Sequence, residues 1–270
     1  MTANLHSERF RSGAEKYAAY LETTEGRLRI DLALANIQEF VPKTAQSLRA
    51  LDIGCGTGAI AVRLAELGAR VTLLDSSAEM LELAEDAANK AGVTENVALQ
   101  HDDVSRLSNL FEAKSFDLII CHNILEYLDE PGAMLNSVAR LLNDQSSIVS
   151  VLVRNRAGEV LKAAIREGAL SSAEDSLTAE WGSESLYGGT VRLFVPERLR
   201  AMLEEATLAA AAERGVRVVS DYLPAKISKN EEYARIFELE RKLGKEAEFA
   251  AIARYTHCLA CRRGLAIRDA

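Results

Sequence analysis

Apolar positions change their period twice along the chain and divide it into three stretches. From residue 5 to residue 20, Leu5, Phe10, Tyr17 and Tyr20 lie among charges and predict a short amphipathic helix. Thr23 and Thr24 offer cap hydroxyls for a second helix over Glu25–Phe40. Within it Ile30, Leu34, Ile37 and Val41 recur at helical spacing, and Pro42 ends the pattern. Short apolar runs then alternate with helical ones. Ala50–Ile53, Arg70–Leu74, Val97–Gln100, Phe116–Cys121 and Ser147–Val153 read as strands. Ala59–Leu67, Ala78–Ala91 and Gly132–Leu142 read as helices, with Gly92 as a C-cap and Pro131 at a helix start. Strands separated by crossover helices run parallel, so the expected fold is α/β and doubly wound.

After Val153 the rhythm breaks. Arg154–Thr190 is polar and rich in Gly and Ser, with an amphipathic helix around Glu159–Glu167. The stretch from about 154 to 200 reads as a functional, substrate-facing insertion after the fifth strand. A helix over Pro196–Arg214, a strand at Val216–Ser220 and a helix over Lys229–Leu243 follow, the last phased by Tyr233, Ile236, Phe237 and Glu240. An apolar strand near Ile252–Ala260 completes the pattern. Residues 1–270 are expected as one domain, with 1–45 as an N-terminal helical cap.

Composition narrows the function classes. The chain is 48% hydrophobic and 27% charged, ordinary for a soluble globular protein. Its net charge of −8 disfavours broad nonspecific binding to nucleic acid or membrane, although a local basic patch stays open. No apolar run reaches the ~18–20 residues of a membrane span, and the first residues lack a signal core. The four cysteines show no disulfide framework, so a cytoplasmic location is expected. Cys258 and Cys261 have CxxC spacing, but residues three apart on a strand face opposite ways. No second ligand pair accompanies them, and no metal is expected.

The densest chemistry lies at Leu51-Asp52-Ile53-Gly54-Cys55-Gly56-Thr57-Gly58, where a strand enters a turn with alternate glycines and a helix begins at once. Asp75, about twenty residues on, suits a carboxylate holding a ribose diol, so an adenosine-containing cofactor is expected. The GxGxG spacing departs from the GxGxxG of dinucleotide folds, and no P-loop Lys-Ser/Thr pair follows. Ser76 or Ser77 caps the next helix.

The D-I-G-C-G-T-G form resembles motif I of class I S-adenosylmethionine (SAM) methyltransferases. That resemblance implies a Rossmann-like, mostly parallel sheet with an antiparallel last strand, SAM as cofactor and S-adenosylhomocysteine (SAH) as product. It places Gly54, Cys55, Gly56, Asp75 and Ser76 around SAM. At the end of the third strand it implies that Asp103 takes the adenine amino group and the Val104 backbone N–H meets the ring, with Asp102 as the rival carboxylate. His122 would lie beside the methionine end, as a general base or in a packing or backbone-contact role.

Motifs outside the core sharpen the resemblance. Thr23-Thr24-Glu25-Gly26-Arg27-Leu28-Arg29, Gly215-Val216-Arg217-Val218 with Asp221-Tyr222-Leu223, Tyr233 through Glu240 as Y-x-x-x-x-E-L-E, and Arg254-Tyr255-Thr256-His257 are similar to the bacterial tRNA 5-carboxymethoxyuridine methyltransferase family. The similarity runs from about residue 8 to 263. It implies esterification of the carboxylate on a modified wobble uridine, and it places Arg29 near the SAM carboxylate. Where those enzymes carry lysines and arginines, this chain reads Trp181 through Thr190, among Glu167, Glu174, Asp175, Glu180 and Glu184. Three readings therefore stand: a tRNA O-methyltransferase, a methyltransferase of a small-molecule acid or phenol, and a non-catalytic SAM-binding protein. A carboxylate acceptor needs no base at pH 7, and no residue stands out as one. Arg154, Arg156 and Arg192 are candidates to fix an acceptor anion, and Tyr187, Tyr222 and Trp181 to line its pocket.

Overall fold

The computed structural model describes residues 13–41 and 46–263. Helix α1 covers 13–21 within the described residues. The expected helical positions Leu5 and Phe10, and Pro42, lie outside them. Helix α2 (Thr24–Gln38) starts on Thr23, whose hydroxyl accepts from the Gly26 N–H at 3.1 Å. That bond satisfies one of the donors a helix N-terminus leaves open.

The alternating pattern folds as expected. Strands β1 (Arg49–Ile53), β2 (Arg70–Asp75), β3 (Val97–His101), β4 (Leu118–His122) and β5 (Ile148–Arg154) are parallel. They alternate with α3 (Ala59–Glu66), α4 (Ala78–Ala91), the short α5 (Leu107–Leu110) and α6 (Pro131–Leu141). Ser77 caps α4 through its hydroxyl, Gly92 ends it at φ +68°, and Pro131 sits in the first turn of α6. Alternate residues of each strand face opposite sides. Leu51, Ile119 and Val151 pack under α6, while Ala50, Ile120 and Leu73 pack under α2, α3 and α4. Each fully buried leucine, isoleucine or valine among them contributes about 1.5–3 kcal/mol.

The insertion forms α7 (Arg156–Leu161), a single π turn over Lys162–Arg166, α8 (Leu170–Ser176) and a small hairpin of β6 (Trp181–Ser183) and β7 (Thr190–Arg192). The last third differs from expectation. Helix α9 stops at Glu205 (Pro196–Glu205), and residues expected to continue it form β8 (Leu208–Val216). Thr207 takes φ +61°, which breaks the helix, and pairing with the last strand overrides the helix propensity of the alanine run. The expected strand over Val216–Ser220 is the end of β8 followed by a 3-10 turn at Ser220–Tyr222. Helix α10 (Tyr233–Leu243) and the short α11 (Ala247–Ala250) then lead to β9 (Tyr255–Arg262). The sheet order is β3-β2-β1-β4-β5-β9-β8, with β9 antiparallel to both neighbours.

The peripheral motifs hold this last third together. Buried Glu240 accepts backbone N–H groups from Val218, Val219 and Ser220 at 2.5–2.9 Å. Arg217 pairs with Asp221 and donates to the Tyr20 hydroxyl at 2.8 Å. Cys258 and Cys261 are free thiols facing opposite sides of the sheet. Among the described residues no group of ligating side chains could hold a metal ion, and no helix is long and apolar enough to cross a membrane.

Candidate active site

Strand order reverses between β1 and β4, and there the carboxyl ends of β1–β5 open into a cavity of about 530 Å³. Small-ligand sites commonly measure about 300–1,000 Å³ and occupy this position in doubly wound sheets. Of the residues expected around SAM, Arg29, Gly54, Gly56, Asp75 and Ser76 line it. Asp102, Asp103, Val104 and His122 do so as well. Cys55 does not: its side chain turns into the core beneath α3.

The loop after β1 is set by its glycines. Gly54, Gly56 and Gly58 adopt φ +66°, +54° and +70°, a region that L side chains rarely enter. A Cβ on Gly54 would come within 2.6 Å of Ile124 Cδ1. The Gly54 and Cys55 N–H groups donate to the Leu74 carbonyl at 2.8 and 3.1 Å, tying the loop to β2. Asp75 completes the tie: its Oδ2 accepts from the Gly56 N–H and its Oδ1 from the Ser77 N–H, both at 2.9 Å. Burial raises the Asp75 pKa despite these bonds. Each oxygen keeps a lone pair for a diol. At the end of β3, Asp102 bonds Arg106, while Asp103 spends only Oδ1, on the Ser105 N–H.

Arg29 projects from the buried face of α2, with the rings of Tyr17, Tyr20 and Tyr255 within 6 Å of its guanidinium. Its Nη1–H donates to Asn123 Oδ1 and its Nη2–H to the Tyr17 hydroxyl, each at 2.7 Å. Its Nε is buried without a partner. A buried cation bonded only to neutral groups calls for an anion. This orphan donor, the glycine cradle and the free lone pairs of Asp75 fit the carboxylate, sulfonium chain and ribose of SAM.

Beyond β4 the wall changes character. Glu126 is buried, and its Oε1 accepts from Asn123 Nδ2 at 2.9 Å and from the Arg154 N–H at 2.8 Å. Burial raises its pKa above the ordinary carboxyl value. Arg154, at the end of β5, reaches the cavity, but both of its terminal nitrogens are already engaged. Nη2–H donates to Glu184 Oε2 at 2.5 Å, and Nη1–H donates to the Ser183 carbonyl and Glu159. Glu184 comes from the β6–β7 hairpin, where it also accepts from the Tyr127 hydroxyl and the Leu186 N–H. Tyr187 lines the cavity against Tyr17 and Tyr127.

Three acceptor-side candidates are not among the residues that line the cavity. Arg156 stands outside the cavity, at the start of α7. Arg192 stacks on exposed Trp181 on the outer face of the hairpin, 4.8 Å from the ring centroid. The Tyr222 hydroxyl reaches back to the Gly158 carbonyl at 3.5 Å. For Arg192 and Tyr222 a neighbour within the insertion or its support claims the side chain, and the Arg156 backbone is tied to the Phe194 carbonyl at 2.8 Å. Sequence reasoning missed Tyr17, Tyr20, Asn123, Glu126 and Tyr255 as cavity residues. The i, i+3 spacing of Tyr17 and Tyr20 was a usable signal for two of them.

Comparison with known proteins agrees with this geometry. The methyltransferase-domain family profile matches residues 45–250. The tRNA 5-carboxymethoxyuridine methyltransferase of Escherichia coli is 27% identical over 256 residues, covering 92% of this chain and 93% of its own. The ubiquinone biosynthesis O-methyltransferase of Maricaulis maris is 29% identical over 174 residues, covering 63% of each chain. Among solved structures, the magnesium protoporphyrin IX methyltransferase of Synechocystis with bound SAH superposes at a TM-score of 0.64. It is 14% identical, with 96% of this chain and 99% of that chain covered. The cyclase SpnF shares the fold at a TM-score of 0.58, with 17% identity and 86% and 80% coverage, so fold alone leaves the reaction open. With a family profile spanning most of its length, the chain belongs to the methyltransferase-domain family and is a SAM-dependent methyltransferase.

Proposed function

We propose that this enzyme esterifies the carboxylate of 5-carboxymethoxyuridine at the tRNA wobble position. The end-to-end match to the Escherichia coli enzyme carries the reading, because it covers the α2 cap, the insertion and the last strands as well as the cofactor loop. The Methylocella silvestris ubiquinone relative, by contrast, matches over only 34% of this chain.

In this reading Arg29 holds the SAM carboxylate, Asp75 accepts both ribose hydroxyls, and Asp103 with the Val104 N–H reads the adenine. When bound, SAM supplies a methyl group on a sulfonium for in-line transfer. The protein's contribution is alignment of the acceptor oxygen. A carboxylate is ionised at pH 7 and needs no base. His122 is consistent with that: burial first, then His257 and Arg29, hold its pKa well below the ordinary histidine value.

A second reading, transfer to a small-molecule acid or phenol, is favoured by one feature. Asp129 and Glu130 line the cavity, and the hairpin closes over β5 through Glu184 rather than presenting a cationic rim. The two separate in one experiment: transfer of labelled methyl from SAM to bulk tRNA lacking the ester, beside a metabolite extract. Label in wobble-position tRNA that is released by mild base is the expected result. Label only in the extract overturns the tRNA reading.

A further inference from the structure

One set of buried polar groups serves neither the core nor the cofactor contacts above. Asn36, Ser150 and His257 are almost wholly buried, yet they form a continuous chain under α2 that ends at the cavity. Asn36 Nδ2–H meets His257 Nδ1 at 3.1 Å. His257 Nε2 lies 2.7 Å from Ser150 Oγ, and Ser150 Oγ lies 2.8 Å from His122 Nε2. The two imidazoles pack edge to face, 5.2 Å apart. Helix α2 anchors both ends of this region, since Arg29 and Asn36 are seven residues apart on its buried face.

The donors fix a direction. The Asn36 amide can only donate through Nδ2, so Nδ1 of His257 accepts and its Nε2 carries the proton. That N–H donates to Ser150, whose hydroxyl proton is then free for His122 Nε2. Neutral His122 must therefore carry its proton on Nδ1, which bonds no other group among the described residues. Both rings stay neutral: burial, with Arg214 adding to it, lowers the His257 pKa to about 3.

We infer that Asn36, His257 and Ser150 form a positioning relay that locks His122 as an Nδ1–H donor, supplying one hydrogen bond to a carboxylate oxygen held over the end of β4. Two carboxylates qualify: that of SAM, and that of the acceptor, the latter resting on the tRNA reading above. His122 acts as a donor and not as a proton acceptor.

Long-range proton–nitrogen spectra of the labelled protein test the lock, with His122→Asn assigning the signal among four histidines. The expected signature is the Nδ1–H tautomer, unchanged from pH 6 to 8. An Nε2–H tautomer, or titration in that range, overturns the proposal. Function is tested by two replacements. Asparagine presents an amide near the Nδ1 position, whereas glutamine presents one near Nε2 and keeps the Ser150 bond. His122→Gln should lose roughly tenfold to a hundredfold, the effect of one hydrogen bond to a charged group, and His122→Asn much less. A loss in SAH affinity by calorimetry assigns the cofactor carboxylate. A rise in KM for tRNA at unchanged SAH affinity assigns the acceptor. Glutamine tolerated as well as or better than asparagine in both assays means the ring serves packing alone and overturns the proposal. If tRNA is not the substrate, the spectra and the SAH titration still decide the matter.

Discussion

The two halves of the cavity are built on different principles. Over β1–β3, the groups that would grip SAM are held by backbone. Gly56 and Ser77 N–H groups fix Asp75, and the loop hangs on the Leu74 carbonyl. All of these partners lie within about twenty-five residues of one another. Over β5 the wall is held by side-chain charges from distant segments: Arg154 with Glu184, Tyr127 closing on Glu184, and behind them Glu159 bridging Arg154 and Arg254. A site made of backbone and glycine conformations tolerates little variation. One made of ion pairs on an insertion can be rebuilt for a new acceptor without disturbing the first, which suits a fold hosting many acceptors.

The floor between the halves offers the largest expected effect. His257 is neutral in the folded protein down to about pH 3, whereas an unfolded histidine takes its proton near 6.5. The folded pKa is depressed, so the associated stability is fully present above pH 6.5 and lost as pH falls toward 3. The whole span is worth about 5 kcal/mol, of which about 3 kcal/mol goes by pH 4.5. Urea unfolding of the protein and of His257→Leu at pH 7.5 and 4.5 measures it. The variant should lose about 3 kcal/mol less on acidification, and equal losses would remove His257 from the acid response.

On the cofactor side, Arg29→Met should cost about 3 kcal/mol of SAH affinity, roughly a hundredfold, because a buried charge pair with the ligand is lost. Asp75→Asn should cost about 2 kcal/mol, roughly thirtyfold, by turning one acceptor oxygen into a donor facing a hydroxyl and a backbone N–H. Calorimetry with SAH reads both. An effect of Arg29→Met confined to acceptor KM would move that residue across the boundary between the halves.

The same division decided what could be read in the sequence. The glycine turn, Asp75 and the strand–helix alternation are local and periodic, and each appears where its spacing places it. Thr23, Ser77, Gly92 and Pro131 announce helix ends by their own chemistry. Residues 208–214 misled because alanine favours a helix, and only pairing with β9, some fifty residues on, makes them a strand. Arg156, Arg192 and Tyr222 were plausible anion or pocket residues until Phe194, Trp181 and Gly158 came beside them in space. The Asn36–His257 pairing spans 221 positions and has no local signal at all.

The smallest expected effect is also the cleanest test of independence. Glu184→Gln keeps an oxygen for the Leu186 N–H but removes the charge facing Arg154. Arg154 retains Glu159 at 3.4 Å, so the fold should lose only about 1 kcal/mol instead of the larger penalty of an abandoned buried charge. If the acceptor half is separate, SAH affinity stays within about twofold, a difference of well under 1 kcal/mol. The KM for the acceptor changes, and it falls when the acceptor is an acid, because Arg154 gains a free donor for it. A drop in SAH affinity as large as the change in KM would mean that Glu184, Glu126 and Arg29 act as one linked charge system through Asn123 and the Arg154 backbone. The cavity would then be a single site whose cofactor grip depends on the β6–β7 hairpin.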